Sequence, residues 1–291
     1  MGNIDRYASF GFRNSWLESY VNHGGDTEFW ESGADGLAPN KRQDACHQFL
    51  LDAGIISGKW KNIKDKETQE KIRDFSPIQN TAFGEKILQM GCNNSTIWAL
   101  IMVNLVSNPD VPTFRWFLEK CEMFQPYDED DLTNLLVPAF ANDEKGHGKQ
   151  NVIDSLKVLF STTPLGNDQI CVNIDYIVKN TSRGDMITLN TLTRMPWFSP
   201  VPEVILYSLY KFAEACGDYY QFTLSYLMDE TIERDGVSPT TIFGLDRDTM
   251  IRILNGLAIN YPEFISVSFS FDLDTITLRK DKKAADVLEL I

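Results

Sequence analysis

The residues best suited to chemistry are thinly spread along this chain of 291 residues. The three histidines, His23, His47 and His147, lack both the His-x-x-x-His spacing and the nearby cysteine pair of a metal site. Cys46 and His47 are adjacent, but neighbouring helical positions point about 100° apart, so they need not share a site. We therefore expect a buried thiol beside a surface histidine, and we predict no metal ion and no other cofactor.

A metal-dependent nuclease would use carboxylates to hold a divalent cation, with a lysine close by. The candidates are Asp110, Glu119 and Asp131. The Glu-x-Lys spacing of restriction-type nucleases is missing, and Glu119 falls in an amphipathic helical pattern, which favours a solvated helix face. The phosphate-binding glycine loops and the Gly-x-Ser-x-Gly elbow are also absent from the sequence. No catalytic residue is assigned, and a nuclease of unrecognised type stays an alternative.

Charge is distributed unevenly along the sequence. The formal net charge is −14, which argues against a general nucleic-acid coat protein, because such a protein needs cations facing phosphates. Residues 41–73 nevertheless contain eight basic and five acidic side chains, a local net charge of +3. Residues 119–145 contain eight acidic and two basic side chains, a local net charge of −6. The first stretch is the better candidate for DNA contact. The second faces water or a basic partner, and its run Asp128, Glu129, Asp130 and Asp131 is the candidate partner surface.

The basic stretch lies in a segment, residues 37–88, whose order of elements is typical of a winged helix. Asn40 is suited to cap a helix that runs to about Asp52, and Gly54 is suited to end it. A short strand at Ile55 and Ile56 follows. The charged residues 59–74 form either an extended wing or an inserted helix. A second strand and a turn at Thr81 then lead into a new helix.

The expected DNA-contacting residues lie on the exposed face of the first helix and in the wing. They are Lys41, Arg42, Gln43 and His47 on the helix, and Lys59, Lys61 and Lys64 in the wing. Lysine and arginine would contact phosphates, and glutamine would contact base edges.

Hydrophobic periodicity predicts helices over residues 96–105, 112–124, 128–140, 151–160, 203–215 and 247–257. Strands are predicted over 169–178 and 186–195, and a β-hairpin over 265–279 has the clearest period-two alternation. We predict a mainly α protein of the α+β class, with helical lobes, winged-helix-like modules and small β-hairpins. The glycine-containing loop at 141–150 divides it into an N-terminal domain, 1–145, and a C-terminal domain, 146–291.

Several features predict a cytoplasmic location with no membrane contact. The apolar run from Ile97 to Val106 is about half the length needed to cross a bilayer, and Asn104 interrupts it. The N-terminal residues lack the basic-then-apolar order of a signal peptide. The five scattered cysteines are typical of buried free thiols in a reducing compartment.

A set of short blocks, in order along the chain, resembles the prokaryotic domain of unknown function family 4007. The blocks are Phe12-Arg13-x-x-Trp16-Leu17; Leu37 to Arg42 with Phe49 and Ala53-Gly54-Ile55; Thr81-x-Phe83-Gly84; Ser95-Thr96-Ile97-Trp98; Trp116-Phe117; Pro202-x-Val204 with Tyr207 and Leu209; and Ser238-Pro239 with Phe243-x-Leu245-Asp246. Ile101 stands where the family's tryptophan-centred helix has a histidine, so no role of that histidine is carried over.

The resemblance implies an accessory role in DNA sulfur modification (phosphorothioation) or a related phage-defence system. It also implies a partner, a sulfurtransferase-like protein resembling phosphoadenosine-phosphosulfate reductases. Three functions are consistent with the sequence: a DNA-recognition or adaptor subunit, a metal-dependent nuclease, and a protein–protein scaffold that never contacts DNA.

Overall fold

The computed structural model describes the chain except residues 1–3, 5, 8–9, 34–35, 38–40, 65–70, 141–146, 182–183 and 271–272. At residues 140, 147, 181, 184–185, 270 and 273 it describes the backbone alone. The protein is about 52% helical and 18% strand, with small antiparallel sheets. This confirms the predicted α+β class.

The first half of the chain is mainly helical. Its helices are α1 (Asn14–Asn22), α2 (Thr27–Glu31), α3 (Lys41–Asp52), α4 (Ala82–Met90), α5 (Ser95–Ser107), α6 (Pro112–Lys120) and α7 (Glu129–Leu136). Its strands are β1 (Ile56–Ser57), β2 (Lys61–Lys64), β3 (Lys71–Asp74), β4 (Gln79–Asn80) and β5 (Pro126–Tyr127). Residues 96–105 are therefore helical as predicted. The helix predicted over 112–124 ends at Lys120, whereas the one predicted over 128–140 is α-helical to Leu136 and continues as a 3-10 helix over Val137–Phe140.

The second half alternates helices with two longer hairpins. Its helices are α8 (His147–Thr162), α9 (Pro164–Asn167), α10 (Pro202–Ala215), α11 (Leu224–Met228), α12 (Pro239–Phe243), α13 (Arg247–Asn260) and α14 (Ala284–Val287). Its strands are β6 (Val172–Thr181), β7 (Gly184–Arg194), β8 (Gln221–Thr223), β9 (Ile265–Ser270) and β10 (Leu273–Leu278). The predicted strands at 169–178 and 186–195 and the predicted hairpin at 265–279 are present with shifted ends.

Helix α5 lies at the centre of the hydrophobic core, and every residue from Ile97 to Val106 is buried. Asn104 is the one polar residue in this run, and both ends of its amide form hydrogen bonds. The Nδ2 group donates to the Ala53 carbonyl at 2.9 Å, and Oδ1 accepts from the Tyr207 hydroxyl at 2.6 Å. These bonds link α5 to the end of α3 and to α10. Buried polar groups are tolerated when they are paired in this way. The buried core is continuous across both halves, and the division near 141–150 stays a prediction.

Local capping explains where several helices begin and end. The Thr81 hydroxyl accepts from the Gly84 amide at the start of α4, and Asp246 accepts from the Thr249 amide at the start of α13. Gly54, at φ +68°, follows α3 as predicted. Asn40, the predicted cap of α3, lies outside the described residues.

The segment between α3 and α4 forms an antiparallel ribbon, which we call the wing (residues 56–80). The chain runs out along β1 and β2 and returns along β3 and β4, with β1 paired to β4 and β2 paired to β3. Of the two alternatives for the charged segment 59–74, the described residues are extended and not helical.

The longest ladder joins β6 to β7 in a hairpin that we call the arm (residues 172–194). The sheet order is β5-β7-β6, so β6 is an edge strand. Asp175 pairs with Thr191 whereas Tyr176 pairs with Leu189, so the extra residue of this β-bulge is Asn190 on β7. Strand β6 therefore continues without a break in its alternation.

No helix in the described part of the chain is long and apolar enough to span a membrane. Cys46, Cys92, Cys121 and Cys171 are buried free thiols, as the sequence predicted, and Cys216 is partly buried.

Candidate nucleic-acid interface and partner surface

The wing contains the clearest concentration of cationic side chains among the predicted residues. Lys59, Lys61 and Lys64 are all exposed. In the β2–β3 register, Lys64 lies directly opposite Lys71, and Asn62 lies opposite Arg73. Like charges directly opposite each other destabilise a ladder. An anion bound between them would relieve that repulsion.

The other face of the same ribbon has an apolar centre. Ile63 and Ile72 lie directly opposite each other and are 42% and 41% exposed. Side chains alternate between the two faces of a ladder, so the isoleucine pair and the Lys64–Lys71 pair point in opposite directions. The wing thus has one face that carries the Lys64–Lys71 pair and an opposite face on which Lys61 lies beside the exposed isoleucine pair.

Arg73 fixes the base of the wing to α3. Its Nη1 group donates to Gln43 Oε1 at 2.6 Å, and its Nη2 group pairs with Asp44 Oδ1 at 2.9 Å. The guanidinium also lies 4.5 Å from the centre of the Trp60 ring. Gln43 completes the connection by donating to the Trp30 carbonyl at 2.8 Å. The orientation of the wing is therefore set by side-chain contacts at its base.

His47 belongs to the same base. Its ring centre is 4.3 Å from that of Trp60, and Nε2 lies 3.2 Å from the Gly58 carbonyl. Burial lowers the pKa of His47, and nearby Lys59 lowers it further. The ring is therefore held in the neutral form, in which protonated Nε2 donates to Gly58.

Two of the seven side chains predicted to contact DNA are buried. Gln43 and His47 were expected on the exposed face of the helix, but they are 0% and 4% exposed. The reason is that this face of α3 packs against α2 and the base of the wing, and distant groups satisfy both polar side chains. Lys41 and Arg42, at the start of α3, are exposed together with the three wing lysines.

The four acidic residues of the predicted partner surface differ in what they do. Asp128 and Asp131 form a capping box at the start of α7, each accepting from the other's backbone amide. Glu129 Oε1 accepts from Lys157 Nζ at 2.8 Å and lies 3.4 Å from the Leu189 amide beside the β7 bulge. Asp130 is exposed and takes part in no capping bond, so it is the residue best placed to contact a partner.

A cleft of about 610 Å³ brings parts of the two predicted surfaces together. Arg13 and Arg42 line it from the side of α1 and α3, and Glu129, Lys157 and Met186 line it from α7, α8 and the arm. Lys157 is largely buried, and it also pairs with Asp154 at 2.9 Å. Its pKa is raised by hydrogen bonds to Glu129 and Asp154, although burial, the larger single effect, acts in the opposite direction.

The three carboxylates proposed for the alternative nuclease function lie on three different segments of the chain. Glu119 pairs with Arg115 at 2.8 Å along the surface of α6, Asp110 is exposed in the loop before α6, and Asp131 caps α7. Within the described residues, no group of three or more histidine, cysteine, aspartate or glutamate side chains is arranged to hold a metal ion.

The residues that organise the site were not found from the sequence. Trp60 and Arg73 fix the wing, and Lys157 holds α7 and α8 together through Glu129. The one feature of the sequence that could have indicated these contacts is Trp60, a tryptophan within the otherwise charged segment 59–74. Lys157 occupies a position in α8 that periodicity alone cannot distinguish from a solvated one.

Together, the fold and site define an α+β protein with a basic β-ribbon fixed to a helical body. Two solved structures share this fold over the whole chain: "SspB crystal structure" and "Magnesium ion-bound SspB crystal structure". Each is 12% identical to this chain, with a TM-score of 0.65, and the match covers 88% of the SspB chain. No known family model and no curated protein matches the sequence. At this identity the likeness concerns the fold alone.

Proposed function

We propose that this protein belongs to the domain of unknown function family 4007. Its proposed role is an accessory DNA-recognition or adaptor subunit of a cytoplasmic DNA sulfur-modification or anti-phage system. It would work with a sulfurtransferase-like partner. The observation that carries the DNA part is the Lys64–Lys71 pair on the exposed wing, because two cations held face to face form a site for a phosphate.

The order α3, wing, α4 supports a winged-helix-like module with an altered binding mode. In the predicted mode the exposed face of the first helix contacts DNA through residues that include Gln43, at base edges, and His47. Since both side chains are buried, we propose contact through the wing lysines and the N-terminal end of α3, where Lys41 and Arg42 lie. Such contact is mainly to phosphates, so it positions DNA more than it reads sequence.

The likeness to the SspB structures supports the same proposal at the level of fold. One of those structures contains a magnesium ion, which favours a second candidate function for this chain, a metal-dependent nuclease. Its carboxylates would be drawn from Asp110, Glu119 and Asp131, brought to a metal ion by bound DNA or by a partner.

The test of DNA contact is a salt titration of binding to a fluorescent duplex. We expect Lys64→Ala/Lys71→Ala to bind more weakly than wild type, with the log–log salt slope shallower by roughly 0.9 for each phosphate that the variant no longer neutralises. Lys120→Ala/Lys280→Ala, two exposed lysines away from the wing, is the matched control and should bind like wild type. If all three proteins bind equally at every salt concentration, the wing lysines do not contact DNA.

The same duplex separates the two candidate functions when Mg²⁺ or Mn²⁺ is added. Intact DNA supports the accessory role. Metal-dependent cleavage that Asp110→Asn, Glu119→Gln or Asp131→Asn abolishes would instead establish the nuclease.

Partner binding is tested by co-purification with the sulfurtransferase-like protein from the native host. We expect Asp130→Lys to weaken the complex, because Asp130 is exposed and its reversal leaves the α7 cap intact. Asp248→Lys on α13 is the matched control for the change in charge. If Asp130→Lys binds the partner as strongly as wild type at moderate salt, the partner surface does not include α7.

A further inference from the structure

The C-terminal half of the edge strand β6 is not covered by any other part of the described structure. Helices α8 and α9 pack against this ten-residue strand, but its last residues leave the body of the protein. Ile177 and Val178 are 50% and 49% exposed. The strand contains no proline, and every second backbone amide and carbonyl along it points away from β7. A regular, partly apolar edge of this length is a template for another strand.

The alternation of β6 separates its side chains into two rows. Asn173, Asp175, Ile177 and Lys179 form the row that faces solvent, and all four are exposed. Tyr176 and Val178 belong to the other row, which packs on the body near its start and becomes exposed at Val178. The bulge lies on β7, so neither row is interrupted.

We propose that β6 is a dimer interface in which a second copy of this chain pairs with it antiparallel, with the two-fold axis beside Ile177. The two three-stranded sheets then form one six-stranded sheet. In this register Ile177 lies opposite its own copy, Asp175 lies opposite Lys179 of the second copy, and Tyr176 lies opposite Val178. Each of the last two pairings occurs twice, because a two-fold interface is self-complementary.

Charge complementarity selects both the occupant and the register. An axis one residue earlier would place Asp175 opposite Ile177, and an axis one residue later would place Lys179 opposite Ile177. The register centred on Ile177 instead pairs both charges with opposite charges and covers both exposed apolar side chains. A net charge of −14 opposes association of two copies. The two Asp175–Lys179 pairs would offset that repulsion at the contact.

Asp175 is already positioned for this role. Asn190, the bulge residue, donates from Nδ2 to Asp175 Oδ2 at 3.2 Å, which leaves the other carboxylate oxygen available. The proposal is independent of DNA binding and of the sulfurtransferase-like partner.

The test is sedimentation equilibrium of the full chain as wild type, Asp175→Lys, Lys179→Asp and the double swap Asp175→Lys/Lys179→Asp. We expect a wild-type dimer and a dissociation constant about tenfold or more higher in each single variant, because two like-charged pairs then meet across the axis. The double swap restores opposite charges and should restore the dimer. Asp248→Lys is the matched control for net charge.

Recovery of dimerisation in the double swap, with an unaltered Asp248→Lys, supports the interface. A wild-type protein that is monomeric at every concentration overturns it. A dimer whose dissociation constant is unchanged in both single variants also overturns it, because association then occurs elsewhere.

Discussion

The wing and the arm are both antiparallel hairpins on the same helical body, yet they present opposite surfaces. The wing exposes lysines on a four-residue ladder, including the facing pair Lys64 and Lys71. The arm has a ladder more than twice as long and exposes Ile177, Val178 and Met186. The same backbone unit thus suits a polyanion in one place and another β-strand in the other. Side-chain chemistry, not the hairpin itself, decides the kind of partner.

The two hairpins also differ in how their bases are held. The wing is held by side-chain contacts of Arg73, which remain partly accessible. The arm is held by Arg194, a buried residue whose guanidinium donates to the Leu118 carbonyl at 2.5 Å, to Cys121 at 3.0 Å and to Thr241 at 2.7 Å. These carbonyls lie at the C-terminal ends of α6 and α12, where intrahelical partners are missing. Arg194 therefore caps two helices at once, and burial lowers its pKa.

The largest effect in this comparison is expected at the base of the arm. Arg194→Ala leaves three carbonyls, two of them in buried bonds and one in a partly buried bond, without their donor, so we expect a loss of about 3–5 kcal/mol in the free energy of unfolding. Arg194→Lys keeps the charge but loses the forked geometry and should lose about half as much. Urea denaturation followed by circular dichroism measures both.

The control for this prediction lies at the far end of the same hairpin. Met186→Ala is an exposed change on β7, away from the proposed β6 interface, and should shift the free energy of unfolding by less than about 0.5 kcal/mol. If Arg194→Ala were as stable as Met186→Ala, the arm would be held by its packing alone and the contrast with the wing would disappear.

A smaller effect is expected at the base of the wing, where His47 makes stability depend on pH. Burial holds the folded-state pKa of His47 below its unfolded value, so its contribution is present above the unfolded pKa of about 6.5 and is lost as the pH falls. We expect wild type to lose no more than about 1 kcal/mol between about pH 7 and about pH 5.5 from this residue. His47→Gln removes that loss. Urea denaturation at the two pH values measures the difference.

His23→Gln, at the half-exposed position that follows α1, is the matched control for removal of a histidine. The prediction requires the pH dependence of His47→Gln to differ from that of His23→Gln. Identical behaviour of the two variants would show that His47 titrates freely and that the wing base is open to water.

The amino-acid sequence by itself determined the elements whose signals are local. The apolar run of α5, the alternating hairpin of β9 and β10 and the glycine after α3 were all predicted within a few residues. Each depends on contacts between residues close in sequence, such as capping bonds or one face of a helix or strand. Composition and local charge likewise located the exposed lysines of the wing.

Only the tertiary structure decided which polar residues are buried and which edge is left open. Gln43 joins the Trp30 carbonyl to Arg73, and Glu129 joins Lys157 to the Leu189 amide. These partners lie 13 to 60 residues away in the sequence. Periodicity separates the two faces of a helix, but it cannot show that a distant segment will cover the polar one. The free edge of β6 has the same origin, because strand order follows from how the whole chain packs.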